Sequence, residues 1–163
     1  MPSFDIVNKI DLQKIDNAVN TAKKELQNRY DLKDELCDIE LDKKSKSLKL
    51  EAKQEMALQT LIDIILGKFS KQGLDVRCLD LTKQANPSGR IVLQVVNIKE
   101  GLDKEVAKKI IAFIKTMGSK VQAAINDDQV RVTGKKIDDL QEIIAELRMQ
   151  DFEVPLQFEN FRS

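Results

Sequence analysis

The sequence predicts an α+β protein built from one β-α-β-β-α-β unit repeated in tandem. Three observations carry this. Apolar spacing alternates between period 2 and period 3.6 in the same order twice. The second helix of each half carries a similar run, LQTLIDII at 58–65 and LQEIIAEL at 140–147. A turn-rich segment, TKQANPSG at 82–89, lies between the halves. The expected division is a first unit over 1–82, a linker over 83–89 and a second unit over 90–163. The unit is the ferredoxin-like, or split βαβ, arrangement: two helices on one face of a four-stranded antiparallel sheet.

In order, PSFDIV at 2–7 is a short strand. Leu12, Ile15, Val19, Ala22 and Leu26 then recur at helical spacing, with Asp11 as N-cap and Arg29-Tyr30 closing the helix. Cys37, Ile39 and Leu41 alternate, KKSK turns, and Leu48 and Leu50 return inward as a hairpin. Leu58, Leu61, Ile62, Ile65 and Phe69 line a second helix, with Gly67 near its end and Gly73 beyond. Val76–Leu81 reads as a strand. After the linker, Arg90–Ile98 is a β-branched strand, and Gly101 opens a helix striped by Val106, Ile110, Phe113, Ile114 and Met117, with Gly118 past its end. KVQAAI and QVRVTG form a hairpin across Asn126-Asp127-Asp128. Leu140, Ile143, Ile144 and Leu147 stripe the last helix, and Val154–Phe158 is the last strand.

Composition narrows the function. The chain has 163 residues with 27 cations and 27 anions, so no global field draws it to nucleic acid or to a membrane surface. It has no histidine, which removes imidazole triads and the commonest metal ligand. Cys37 and Cys78 lie far apart and read as buried thiols of a reducing compartment rather than as a redox or zinc site. No apolar run reaches the length of a membrane span, so the expected location is the cytoplasm. No cofactor and no metal are implied.

The segment QVRVTGKKIDDLQ at 129–141 invites comparison with a phosphate grip. It lacks the upstream glycine and following hydroxyl of a P-loop, and Asp138 and Asp139 would repel a phosphate at that helix start. A strand-to-helix turn, with Gly134 permitting a tight backbone, is the plainer reading. Strand parity then sorts the side chains. Val121, Ala123, Ile125, Val130, Val132, Leu156 and Phe158 face the helices, as do Phe4 and Ile6. Gln122, Arg131, Thr133 and Gln157 face away. Together with Lys135, which is in reach of a nearby anion, they are the candidate nucleotide-binding residues; a solvated sheet face is the alternative reading. No aromatic side chain falls on that face, which argues against recognition of single strands by base stacking.

PSFDIVN at 2–8, KVQ with QVRVTGKKIDDLQ within 120–141, and PLQFENFR at 155–162 resemble the YajQ family of bacterial nucleotide-binding proteins. RYD at 29–31 and GLDKEVAKKI at 101–110 add to the likeness, which spans essentially the whole chain. Leu32-Lys33-Asp34 depart from it, where the family often carries an aromatic and an arginine-glycine pair. The resemblance implies two ferredoxin-like domains with their N-terminal strands exchanged, so that strand 2–7 completes the other half's sheet. It also implies binding of a nucleotide or RNA, with cyclic di-GMP as the ligand of some members, and no defined catalysis. Three function classes stay open: a nucleotide effector, an RNA-binding protein, and a protein–protein adaptor without a small ligand; a fourth, an enzyme, has no named residues to support it.

Overall fold

The computed structural model describes residues 1–118 and 120–163. The chain divides into two compact units. One is contiguous, residues 11–99. The other is split, residues 1–10 and 100–163.

The contiguous unit contains helix α1 (Leu12–Asn28), strands β2 (Asp38–Asp42) and β3 (Ser47–Ala52), helix α2 (Glu55–Lys71), and strands β4 (Leu79–Asp80), β5 (Asn86–Ser88) and β6 (Ile91–Ile98). Its sheet runs β2-β3-β6-β4, antiparallel throughout, with β5 also paired to β6. Asp11 caps α1 by accepting from the Gln13 and Lys14 amides. Helix α2 ends in a Schellman motif: Leu74 N donates to Phe69 O and Gly73 N to Ser70 O, with Gly73 at φ +76°. Ile15, Val19, Ile39, Leu48, Leu50, Leu61, Ile65, Phe69 and Val96 are buried in this unit.

The split unit contains β1 (Ser3–Val7), α3 (Lys104–Thr116), β7 (Val121–Asn126), β8 (Gln129–Gly134), α4 (Ile137–Arg148) and β9 (Gln157–Arg162). Its sheet runs β7-β8-β1-β9, so β1 is an interior strand. Phe4 and Ile6 of β1 meet Val130 and Val132 of β8 in one core with Ile110 and Ile114 of α3 and Leu140, Ile143 and Leu147 of α4. Each sheet thus holds, in an interior position, the strand that opens the other sequence repeat.

Several local readings differ from the structure. The linker expected at 83–89 contains β5, and the strand expected to open the second unit pairs with β3 and β4. The division therefore falls after residues 10 and 99. Local periodicity carries the order of elements and not their partners. Val76–Cys78 is a 3-10 turn, because Asp75 accepts from the Arg77 amide and its carbonyl from Cys78. Cys37 precedes β2, and β9 begins after Pro155, which has no N–H for a ladder. Ile125 is 44 % exposed at the sheet edge, not enclosed. Among the described residues no helix is long and apolar enough to cross a membrane.

Candidate functional site

The face of the split unit's sheet opposite its helices is built by alternation. Helix-side positions hold the apolar set, so the polar set emerges on the other side. Register orders it into cross-strand rows. Gln122 lies opposite Thr133, Thr133 opposite Ser3, and Ser3 opposite Arg162. In the next row Ala124 lies opposite Arg131, Arg131 opposite Asp5, and Asp5 opposite Glu159. The structure therefore brings Gln122, Arg131 and Thr133 together on adjacent strands.

Arg131 is anchored. Its Nε donates to Asp5 Oδ1 at 2.9 Å, and its Nη2 donates to Asp5 Oδ2 at 3.4 Å. Asn160 Nδ2 donates to Asp5 Oδ2 at 2.8 Å. The ladder between β1 and β9 shifts register at this point, and Asn160 takes φ +56°. That bulge turns the Asn160 amide onto the Asp5 side of the sheet, and asparagine tolerates the left-handed backbone better than most residues. Asp5 is only 4 % exposed. Burial pushes its carboxyl up, but hydrogen bonds from Arg131 and Asn160 and the charges of Arg131 and Arg162 outweigh that and hold it below the usual value. The same pair holds the Arg131 guanidinium above its usual value, first through the hydrogen bond to Asp5 and then through its charge. The Arg131 side chain is 41 % exposed, and among the described residues its Nη1 has no partner. It is a cation locked in orientation with one edge turned outward.

The other two candidates sit apart. Gln157 starts β9, three strands from Gln122, roughly 14 Å across the sheet at ~4.8 Å per strand, and lies in the row of Val7 rather than that of Ser3. Its amide is used locally: Oε1 accepts from Lys9 N at 3.2 Å, and Nε2 donates to Lys9 O at 2.9 Å. Lys135 is exposed beyond the end of β8. The neighbouring Gly134 has a packing role rather than a turn role. Its φ is not positive, and a Cβ there would stand 3.0 Å from Val121 Cγ1 and 3.2 Å from Leu140 Cδ2. Helix α4 starts at Ile137 without a side-chain cap and with Asp138 and Asp139 in its first turn. Among the described residues no group of acidic or cysteine side chains is placed to hold a metal ion.

Asp5 and Asn160 were not among the sequence candidates. Alternation does place Asp5 on the outward face, and a carboxylate two residues from a buried Val7 is a signal. Its partner strand is not a local property, and the bulge that recruits Asn160 leaves no trace in the alternation.

These features define a duplicated ferredoxin-like α+β protein whose split sheet carries an anchored cation and neutral hydrogen-bonding groups on its outward face. The sequence model of one family, described as nucleotide-binding protein YajQ-like, matches residues 2–162, and the chain belongs to that family. Relatives of similar length extend the comparison. A nucleotide-binding protein of Cytophaga hutchinsonii is 50 % identical over 162 residues, covering 99 % of this chain and 100 % of the relative. One from Pseudomonas putida strain W619 is 50 % identical over 162 residues, covering 99 % of each. One from Nitratidesulfovibrio vulgaris is 48 % identical over 165 residues, covering 100 % of each.

Proposed function

We propose that this chain is a non-enzymatic nucleotide-binding protein, an effector for which cyclic di-GMP is the first ligand to test. The observation that carries the reading is full-length kinship, at about half identity, with proteins named for nucleotide binding. Gln122, Arg131, Thr133 and Lys135 are the proposed contacts, and Gln157 the proposed support beside them. Arg131 offers its Nη1 edge to a phosphate oxygen in a charge-assisted hydrogen bond. Asp5 and Asn160 hold that guanidinium still, so little side-chain freedom is lost on binding. Gln122 and Thr133, on adjacent strands, present an amide and a hydroxyl to a base edge or ribose. Lys135 supplies a second positive charge to a phosphate beyond the sheet end. Gln157 takes part by fixing the backbone at Lys9.

Isothermal titration with cyclic di-GMP, GTP, ATP and a short single-stranded RNA, at two salt concentrations, tests this. Saturable binding of one nucleotide supports the effector reading. Arg131→Ala should then weaken binding, and Gln122→Ala, which leaves Asp5 paired, should weaken it by about 0.5–1.5 kcal/mol for one lost hydrogen bond. If both variants bind like wild type, the site lies elsewhere. A salt slope near ~0.7 per neutralised phosphate with the RNA alone favours RNA binding instead. No heat with any of the four leaves the adaptor reading.

A further inference from the structure

An edge strand carries unpaired N–H and C=O groups that template another strand unless they are guarded. Three of the four strands that end the two sheet paths are guarded. β2 presents Asp38, Glu40 and Asp42. β4 is two residues long. β9 carries Glu159 and Arg162 and breaks its register at the Asn160 bulge. The short β5 beside β6 contains Pro87.

β7 has none of these guards. Its residues, Val121 to Asn126, include no charge, proline or glycine, in a chain of which 33 % is charged. Its ladder to β8 is unbroken from end to end. Gln122, Ala124, Ile125 and Asn126 are exposed. A cavity of about 660 Å³ opens beside this edge, with Ile111, Ile114, Val121 and Ala123 in its wall.

We infer that β7 is a self-association edge: two copies of the chain pair through it, antiparallel across a two-fold axis, and join two four-stranded sheets into one of eight strands. Opposed residues in an antiparallel pair share a face, so the axis must fall on a residue. Placed on Ala124, it makes the strand complementary to itself. Gln122 meets Asn126 of the second copy and Ala123 meets its Ile125, each pair occurring twice within the strand Val121–Asn126. No like charges oppose one another. Small Ala123 leaves room for the larger Ile125, which takes its seat over the cavity beside Ile111 and Ile114.

The test is light scattering on the eluting full-length chain across a concentration series. Wild type should reach twice the 18.5 kDa chain mass. Ala124→Lys places two ammonium groups on the axis, at an exposed position opposite Arg131 of β8. It should raise the dimer dissociation constant about tenfold or more while leaving the circular dichroism spectrum unchanged. Ile125→Ser, which removes the side chain seated beside Ala123 of the second copy at a position exposed in the single chain, should act in the same direction. Wild type at the single-chain mass at the highest concentration reached, or an Ala124→Lys chain that dimerises like wild type, overturns the inference.

Discussion

At the scale of single residues, Asp5 is a group through which pH acts on the split unit. Its folded pKa lies below its unfolded value, so between the two values the unfolded chain binds the extra proton. The stabilisation is therefore complete above the ordinary aspartate value of ~3.9 and is lost as pH falls through the folded value. Melting temperature measured through the acid range should fall less steeply for Asp5→Asn than for wild type. In Arg131→Ala burial acts with less opposition, from Asn160 and Arg162 alone. The Asp5 carboxyl, followed by NMR titration, should move up. Burial pushes the Cys78 thiol up to about 11, aided by the Asp75 charge, so at neutral pH it should resist a disulfide reagent until the chain unfolds. Alternation alone places Arg131, Thr133 and Gln122 on one face. The hold that Asp5 has on Arg131 joins residues 126 positions apart, and only the strand order supplies it.

At the scale of elements, two glycines show how different demands look alike in sequence. Gly101 has φ +77°, and a Cβ there would stand 2.6 Å from Asp128 Oδ2. Gly101→Ala should destabilise the chain by about 1–3 kcal/mol in chemical denaturation, from the left-handed backbone and the displaced carboxylate. Gly134 needs space only, in the wall between Val121 and Leu140. The helices were legible because their apolar stripes are local signals, as are the Asp11 cap of α1 and Gly118 at φ +113° just past α3; α3 itself starts at Lys104 behind the Asp103 cap and not at Gly101. Removing the Asp11 cap with Asp11→Ala should cost about 0.5–2 kcal/mol, read in the same denaturation experiment. The strands near 76–81 and 154–158 were less legible. Their limits depend on Asp75 turning the chain into a 3-10 turn and on Pro155 withholding a donor.

At the scale of the whole molecule, the two units differ in what they need. Residues 11–99 contain every strand of their own sheet, whereas 100–163 lack β1, which lies between β8 and β9. A fragment of residues 11–99 should show a cooperative thermal transition by circular dichroism. A fragment of 100–163 should show none, and adding the peptide 1–10 should restore it. A folded, cooperatively melting 100–163 fragment would contradict the interior role of β1. The repeated element order was visible in the chain, but the exchange of opening strands was not, since both pairings bury the same alternating residues and differ only in which sheet receives them. The interior place of β1 also sets a schedule for biosynthesis. Phe4 and Ile6 leave the ribosome well ahead of Val130, Val132 and Phe158, their partners on β8 and β9. At about 5–20 residues per second, β1 waits roughly 6–30 s before it can pair. In the last part of that interval residues 11–99 can already be folded, while residues 1–10 with their apolar centre stay open to any chaperone that meets the emerging chain.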